Sequence, residues 1–301
     1  MAAEIPFSVN GKPSLAVTVA SQNARASIEE CLSTIVDQAQ VSRAEIIVVD
    51  NSTDGTTELV QKQFPHIKLI VESPTLLIPE LWGVGIQQST ADIVAITTAH
   101  FVPGKDWLAQ ILKAHETEAP AIGGAIENDE SGRIVDWAVF FCRYSLYMLP
   151  FPEGVAPEIA GDNASYKREY LDRYQYAWRN GFWESAVHAE MRKAGIQLLL
   201  VPSIVVRHKR SFGCWSFMTQ RFQHGVQFGS ERASRCSVPR RVFYIMLSPA
   251  IPLIFLVRIV RQLIRKQRHW GKFIHAFLIL ILFLSAWTVG ELIGYLRGAT
   301  R

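Results

Sequence analysis

Residues 45–56 read Glu-Ile-Ile-Val-Val-Asp-Asn-Ser-Thr-Asp-Gly-Thr, and this stretch decides the fold class. Four consecutive apolar residues, Ile46 to Val49, lack the polar alternation of a half-exposed strand and are typical of a parallel strand covered on both faces. The strand ends on Asp50, a polar turn follows to Gly55, and a helical pattern runs from Thr57 to Phe64. Because ligands bind beyond the carboxyl ends of the strands in an open α/β sheet, Asp50 is predicted to meet a ligand.

Other stretches repeat this organisation in chain order. They are a strand at Leu15–Ala20 with the turn Ser21-Gln22-Asn23, a helix over Ser27–Gln38, a strand over Asp92–Thr97, and the pairs Val102-Pro103 and Trp107-Leu108. Together with Asp50 and its turn, they resemble the signature of the family-2 inverting glycosyltransferases, which have the GT-A fold. The resemblance covers roughly residues 14 to 212. It implies that Asp50, Ser21 and Asn23 bind a nucleotide-sugar donor, a UDP- or GDP-sugar.

The chain departs from that family where a metal site is expected. Similar enzymes carry an Asp-x-Asp after the third strand, and its carboxylates hold a divalent cation on the donor diphosphate. Here the aligned residues are Thr98-Ala99-His100. His100 can coordinate Mn²⁺, whereas Mg²⁺ prefers oxygen ligands. Three interpretations stay open: His100 binds a metal with help from elsewhere, basic side chains stabilise the diphosphate without metal, or His100 is a polar residue without a ligand.

A second histidine bears on the same question. His208 follows a strand-like run from Leu198 to Val206, where similar enzymes place a histidine that reaches the metal or the diphosphate. Arg207 and Lys209 surround it with positive charge, which suits a phosphate. The same residues also begin a basic, membrane-facing segment, and the sequence does not choose between the two. Thr98, His100, Arg207 and His208 are therefore the candidates for the diphosphate.

The catalytic base is predicted to be Glu184. Similar enzymes carry Glu-Asp at the start of a helix, with the Asp about eleven residues before a Gly, and here Trp183-Glu184 precedes Gly195 at that distance. Inverting transfer needs one carboxylate to take the proton of the acceptor hydroxyl. A helix-start acid that only stabilises the macrodipole is the alternative.

The acceptor is predicted to bind next to that base. Ala160-Gly161-Asp162-Asn163-Ala164 resembles the family's acceptor loop, so Asp162 and Asn163 are candidate ligands of the acceptor. A capping loop explains the same residues. His188 lies one helical turn after Glu184 and is predicted to tune that acid or to contact the acceptor.

The carboxy-terminal third of the sequence points to a membrane. Residues 205–272 contain fourteen Lys and Arg and a single acid, Glu231, while the preceding residues are acidic overall. Residues 273–296 contain one charged residue, Glu291, and are long enough to cross a hydrocarbon core about 30 Å thick. Residues 242–257 are shorter and contain Pro249 and Pro252, which is consistent with either a re-entrant segment or a second span. We therefore expect a domain over 10–215 and a basic juxtamembrane helix with a membrane anchor over 216–301.

Location and partners follow from the same features. The four cysteines have no CxxC or zinc spacing, and Met1–Lys12 has no apolar core, so a catalytic domain in the cytoplasm, attached to the cell (inner) membrane, is expected. The basic segment predicts contact with anionic lipids rather than nucleic acid, since it adjoins a membrane helix. The expected function is transfer of one sugar to a lipid-linked or glycan acceptor. The alternative is a catalytically inactive scaffold that binds nucleotide-sugar or glycan, and the missing Asp-x-Asp favours it.

Overall fold

The computed structural model describes residues 13–209, 212–234 and 236–298. It divides into two compact units. One contains Pro152–His208 and the chain up to Ile126, and the other contains Glu127–Phe151 and the chain from Lys209 onward. The predicted boundary at residue 215 therefore differs from the observed one in two respects. The chain changes units about seven residues earlier, and Glu127–Phe151 belongs with the carboxy-terminal helices.

The first unit is built on a nine-stranded sheet, whose strands alternate with helices as the sequence predicts. Its strands, in chain order, are β1 Leu15–Ser21, β2 Glu45–Asp50, β3 Lys68–Val71, β4 Ile93–Thr98, β5 Phe101–Pro103, β6 Ala121–Asn128, β7 Gly154–Ala156, β8 Asn163–Lys167 and β9 Leu198–His208. The helices up to residue 193 are α1 Ile28–Ser42, α2 Thr56–Gln63, α3 Ile78–Gln88, α4 Trp107–Ala114, α5 Ile134–Tyr144, α6 Arg168–Arg173, α7 Gln175–Trp178 and α8 Glu184–Lys193. All of these helices except α5 belong to the first unit.

The sheet order is β3-β2-β1-β4-β8-β6-β9-β5, with β7 also paired to β9. β3, β2, β1 and β4 are parallel to one another, and β8 pairs antiparallel to both β4 and β6. β1 is buried at all seven positions. A strand buried on both faces needs a continuous apolar run, and this explains why β1, β2 and β4 could be recognised in the sequence.

Parallel pairing brings the ends of three strands to one edge of the sheet. Ser21 lies opposite Asp50, and Ala20 lies opposite Thr98. β5 is the last strand in the sheet order, and its antiparallel pairing with β9 places Phe101 opposite His208. The residues predicted to contact a donor are therefore collected at the ends of strands of a single sheet.

The second unit is helical. After the 127–151 segment with α5, it contains α9 Cys214–Ser234, α10 Val238–Leu247, α11 Ile251–Lys266 and α12 Trp270–Arg297, with a 3₁₀ turn at Ser248–Ala250 between α10 and α11. α12 packs on α5 through Phe273 and Phe141, and on α9 through Phe283 and Phe217. These aromatic contacts fix one face of α12 against other helices of the unit.

Glycines bring α9 and α12 into backbone contact. Gly225 and Gly229 of α9 face Gly290 and Gly294 of α12. A methyl group on Gly290 would lie 2.1 Å from the carbonyl oxygen of Phe222, and one on Gly294 would lie 2.4 Å from that of Val226. Small residues spaced four apart on both helices allow this approach, as in other closely packed helix pairs.

Among the described residues, two helical stretches of the second unit are long and apolar enough, by length and composition alone, to cross a membrane. They are Val238–Lys266 and Trp270–Arg297. The second contains the predicted span 273–296. The first contains the segment 242–257, which the 3₁₀ turn at Ser248–Ala250 interrupts beside Pro249.

Replacing Gly290 tests the α9–α12 contact. Gly290→Ala should destabilise the protein by about 1–3 kcal/mol, because the added methyl group meets backbone that cannot rotate away. Gly271→Ala is the matched control on the same helix, since a methyl group there meets nothing within 4 Å. The control should unfold at the wild-type temperature or slightly above it, because Ala favours helix over Gly. Thermal unfolding in detergent would measure both, and equal melting temperatures would contradict the close contact.

Candidate functional site

Asp50 is held rigidly at the carboxyl end of β2. Its carboxylate is buried and accepts hydrogen bonds from the hydroxyls of Ser52 and Thr57. Thr57 belongs to the first turn of α2, so the acid connects the strand, the turn and the helix that the 45–56 motif contains. Carboxylates are good acceptors from ribose hydroxyls or base N–H groups, and this one is fixed where such a group would arrive.

The turn after β1 is joined to the turn after β2. The Asn23 side-chain oxygen accepts a hydrogen bond from the backbone N–H of Thr53 at 3.0 Å, and the Asn23 N–H donates to the Ser52 hydroxyl at 2.8 Å. Asn23 has a φ of 50°, a left-handed conformation that Asn adopts more readily than most residues. The Ser21 hydroxyl is buried and has no hydrogen-bond partner among the described residues. Asn23 thus holds the two turns together, while the Ser21 hydroxyl is a buried polar group at the same edge of the sheet.

The turn that replaces the expected metal motif is buried. Thr98 ends β4, and His100 lies in the turn before β5 with its Nδ1 3.2 Å from the Ser27 hydroxyl. Both side chains are less than a tenth exposed. Since Ser27 immediately precedes α1, His100 connects the β4–β5 turn to the start of that helix.

The described residues do not fit a divalent metal by themselves. Among them, no group of three His, Cys, Asp or Glu side chains is close enough to hold an ion. The motif position contributes one imidazole and no carboxylate, whereas Mg²⁺ requires oxygen ligands and Mn²⁺ favours them. A cation here would have to take most of its ligands from a bound diphosphate or from water.

His208 and Arg207 do not point the same way. Side chains alternate along a strand, and His208 is buried while Arg207 is exposed. The His208 ring packs on Phe101, with ring centroids 4.9 Å apart. Because Phe101 directly follows His100, the two histidines lie in the same part of the first unit. Of the two candidates for the diphosphate, His208 therefore lies on the buried face of β9 and Arg207 on the exposed face.

Glu184 lies beside the predicted acceptor loop. It is the first residue of α8 and is half-buried. A methyl group on Gly161 would lie 3.4 Å from the carboxyl carbon of Glu184 and 2.9 Å from ring carbons of Trp82. Residues 160–164 and 184, predicted separately from the sequence, therefore meet at one glycine.

Trp82 and Thr97 tie that meeting point to the sheet. The Trp82 indole N–H donates to the Thr97 carbonyl at 2.7 Å, and the Thr97 hydroxyl donates to the Asp162 carbonyl at 2.8 Å. The Asp162 side chain is 9% exposed. Since Thr97 immediately precedes Thr98, these bonds place the acceptor loop next to the end of β4.

Asn163 is placed differently from the prediction. Its side-chain oxygen accepts from the Trp107 indole at 2.8 Å, and its NH₂ group donates to the carbonyls of Ala125 and Ile204. The side chain is 1% exposed. Its hydrogen-bonding groups are therefore used inside the protein, which gives Asn163 a structural role in place of the predicted contact with an acceptor.

His188 is also a core residue. Its Nε2 lies 2.9 Å from the Tyr166 hydroxyl and its Nδ1 lies 2.8 Å from a carboxylate oxygen of Glu158, and the ring is fully buried. Burial opposes the charge of Glu158, but its bonds to His188 and Arg192 lower the pKa of that carboxyl below its usual value. The predicted contact of His188 with an acceptor does not fit this position. The histidine instead anchors α8, the helix that begins with Glu184.

Several side chains of the site were not identified from the sequence. Trp82 contacts the acceptor loop, Ser27 contacts His100, and Thr57 contacts Asp50. Each of these residues either is distant in sequence from its partner or lies in a helix with an ordinary apolar pattern. Thr57 had the best signal, because it opens the helix of the 45–56 motif.

The structure thus combines a mixed α/β sheet with a polar edge where its parallel strands end. Comparison with known proteins gives the family. The family model described as Glycosyl transferase family 2 matches residues 16–175, more than half of the chain. The chain therefore belongs to glycosyl transferase family 2.

One curated relative and two solved structures extend the comparison. Glycosyltransferase AglE of Haloferax volcanii is 26% identical over 121 residues, which cover 38% of this chain and 40% of AglE, so the match spans about two-fifths of that relative. The mannosyltransferase PcManGT of Pyrobaculum calidifontis, solved with GDP-Man and Mn²⁺, superposes with a TM-score of 0.57 at 21% identity and covers 94% of this chain and 88% of its own. TarS of S. aureus, solved with UDP-GlcNAc, superposes with a TM-score of 0.51 at 13% identity. The superposition covers 96% of this chain and 93% of the TarS chain. These likenesses confirm the predicted GT-A fold.

The structural role of Asn163 gives a stability prediction. Asn163→Ala should lower the free energy of unfolding by about 2–4 kcal/mol, because it leaves the Trp107 indole and two buried carbonyls without their partner. Asn180→Ala, at an exposed asparagine, is the control and should change stability by about 0.5 kcal/mol or less. Denaturant unfolding measures both. A stable Asn163→Ala protein with impaired acceptor binding would restore the original prediction.

Proposed function

We propose that this protein is a membrane-attached, inverting glycosyltransferase. It transfers one sugar from a nucleotide-sugar donor to a lipid-linked or glycan acceptor. The observation that carries the proposal is the convergence of Glu184 and the 160–164 loop on Gly161, where Trp82 and Thr97 join them to the end of β4. A carboxylate beside the edge that receives the donor is the arrangement that such a transfer requires.

The donor is proposed to bind at the turns after β1 and β2. Asp50 and Ser21 supply an acceptor of hydrogen bonds and a buried hydroxyl, and Asn23 holds the two turns together. PcManGT was solved with GDP-Man and TarS with UDP-GlcNAc, and both nucleotides remain candidates for this chain. The turn at Thr98–His100 and His208 would lie at the diphosphate.

Glu184 is proposed as the catalytic base. In an inverting transfer, the acceptor hydroxyl oxygen attacks the anomeric carbon as the bond from that carbon to the diphosphate oxygen breaks. The carboxylate takes the hydroxyl proton, and the nucleoside diphosphate leaves with the bonding electron pair. His188, held by Tyr166 and Glu158, keeps α8 in the register that presents Glu184.

The second unit is proposed to hold the enzyme at the cell (inner) membrane with its catalytic unit in the cytoplasm. Its helices include two candidate spans, and its arginines favour anionic lipids over nucleic acid. An acceptor carried on a lipid would then be confined to the surface at which the enzyme is attached.

A catalytically inactive scaffold is the second candidate, and one observation favours it. Thr98 and Ala99 supply no metal-binding carboxylate at the position where similar enzymes carry one. Such a protein would bind a nucleotide-sugar or a glycan without turning it over.

Replacement of Glu184 distinguishes an active glycosyltransferase from a catalytically inactive scaffold. Glu184→Gln should reduce transfer by about 10²–10⁴-fold, because the amide cannot take the proton, while binding of the nucleotide stays within about twofold. Glu190→Gln, on the outer part of the same helix, is the control and should leave transfer unchanged. Both are measured as sugar transfer to membrane-extracted acceptor together with thermal-shift binding of UDP and GDP. Unchanged turnover in Glu184→Gln would remove the assignment, and absence of turnover in the wild type would favour the scaffold.

Chelation tests the diphosphate site. Because no three His, Cys, Asp or Glu side chains among the described residues are grouped closely enough to hold an ion, stabilisation of the protein by its preferred nucleoside diphosphate should persist in EDTA and change less than twofold on adding Mn²⁺ or Mg²⁺. The readout is the shift in melting temperature at fixed nucleotide concentration. If the shift vanishes in EDTA and returns with Mn²⁺ in the wild type but not in His100→Ala, a cation bound through His100 is established instead.

A further inference from the structure

The helices α10, α11 and α12 carry apolar side chains that no described residue of the second unit covers. On α10 and α11 they include Val242, Phe243, Met246 and Leu253, each more than half exposed. On α12 they include Ile274 and Leu278. Exposed arginines accompany them on α10 and α11, at Arg240, Arg258, Arg261 and Arg265. Apolar side chains flanked by cations match a membrane surface that has anionic headgroups.

α12 does not present the surroundings of a membrane-crossing helix. Its second half is in backbone contact with α9 at Gly225 and Gly229. α9 exposes a row of polar side chains on its other faces, namely Gln223, His224, Gln227, Glu231 and Arg232. If α12 crossed the bilayer, α9 would have to enter with it and place these side chains in lipid, which is strongly unfavourable.

The first half of α12 packs on α5 through aromatic side chains. Phe273 packs on Phe141, and the His269 ring lies 4.7 Å from the Trp137 ring at the beginning of the helix. α5 also carries Asp136, whose carboxylate bonds Arg133 and the backbone N–H of Phe212. A stretch of about 20 residues is needed to span, and every such stretch of α12 runs beside α5, α9 or both.

The α10–α11 segment is built to enter a leaflet and return. Its uncharged core, residues 242–257, measures about 24 Å as a helix, which is less than the hydrocarbon thickness of about 30 Å. A 3₁₀ turn with Pro249 interrupts it, and the Ser248 hydroxyl bonds back to the Tyr244 carbonyl. Both ends are cationic, with Arg240 and Arg241 before it and Arg258, Arg261 and Arg265 after it. Cations at both ends favour placing both ends on the cytoplasmic side.

We propose that the second unit attaches the protein to one leaflet of an anionic membrane without crossing it. The exposed apolar faces of α10, α11 and α12 enter the leaflet, and the arginines bind headgroup phosphates. α9 stays on the aqueous side and holds α12 at the surface. This deepens the proposed membrane attachment and replaces the span predicted over 273–296.

Labelling of single cysteines in sealed membrane vesicles tests the arrangement. In a full-length background with Cys142, Cys214 and Cys236 replaced by Ser and the fully buried Cys31 retained, one exposed cysteine at a time is placed before α10, at the start of α12, or at the end of α12. The substitutions are Ser237→Cys, Gly271→Cys and Arg297→Cys, with Glu118→Cys in the first unit as the reference. All four positions are exposed, and Gly271 accepts a side chain without contact. A membrane-impermeant maleimide is added before or after detergent.

The labelling pattern distinguishes the topologies. We expect all three positions to react before detergent to the same extent as the reference. Protection of Arg297→Cys alone would show that α12 crosses, and protection of Gly271→Cys alone would show a two-span hairpin. Either result overturns the proposal. The assay does not depend on turnover, so it can fail while Glu184 remains the base, or succeed if the protein is inactive. Loss of the protein from the membrane fraction would overturn attachment itself.

A lipid-binding measurement tests the headgroup contact separately. The vesicles contain roughly 30 mol% phosphatidylglycerol, which gives a strongly negative surface potential. Replacing Arg258, Arg261 and Arg265 together by Gln should reduce partition into these vesicles by about a hundredfold. Partition into phosphatidylcholine vesicles should change little. The control replaces three exposed cations of the first unit, Lys62, Lys105 and Lys113, by Gln and should bind like the wild type. Equal losses in both triple variants, or no loss in either, would contradict a specific headgroup contact.

Discussion

The parallel register of β1, β2 and β4 is the constraint on which the candidate site depends. All three strands are buried on both faces, so a slip in pairing would separate apolar surfaces that have no other partner. The register places Ser21 beside Asp50 and Ala20 beside Thr98, so that the three strands end at nearly the same level and their loops begin next to one another. Hydrogen bonds between Asn23 and the turn after β2 then join two of those loops. At this edge, Asp50 and Asn23 have their side chains held by hydrogen bonds to neighbouring turns, while the Ser21 hydroxyl has no partner among the described residues.

The second part of the site is assembled from segments that are far apart in the chain. Trp82 comes from α3, the 160–164 loop continues into the first two residues of β8, and Glu184 opens α8. They meet at Gly161, where the absence of a side chain lets an indole ring and a carboxylate approach the same backbone. His188 and Asn163 support this arrangement from the core. Polar residues near a catalytic group are often assigned to ligand binding, yet these two have their hydrogen bonds satisfied by the protein.

In the second unit, hydropathy identifies helices that could cross a membrane, whereas packing shows which residues surround those helices. Apolar length alone marks both Val238–Lys266 and Trp270–Arg297 as candidate spans. Their neighbours differ, because α12 is in backbone contact with a polar helix while α10 and α11 expose most of their apolar side chains. A helix that crosses a bilayer needs partners that tolerate lipid, and α9, with its exposed Gln, His, Glu and Arg side chains, does not meet that condition. The proposed mode of membrane attachment therefore depends on which helices contact one another.

The sequence by itself determined the α/β class, the positions of β1, β2, β4 and β9 to within two residues, the start of α8, and Asp50 at the end of its strand. These features are local, since they depend on runs of apolar residues and on the residues that end them. The sequence also singled out Glu184, His100 and the 160–164 loop, through resemblance. Only the tertiary structure decided that Asn163 and His188 are buried, that Arg207 and His208 face opposite ways, and that Trp82 borders the loop. It also assigned residues 127–151 to the helical unit. Each of those outcomes depends on contacts between segments distant in the chain, and such contacts leave no periodic signal in the residues that make them.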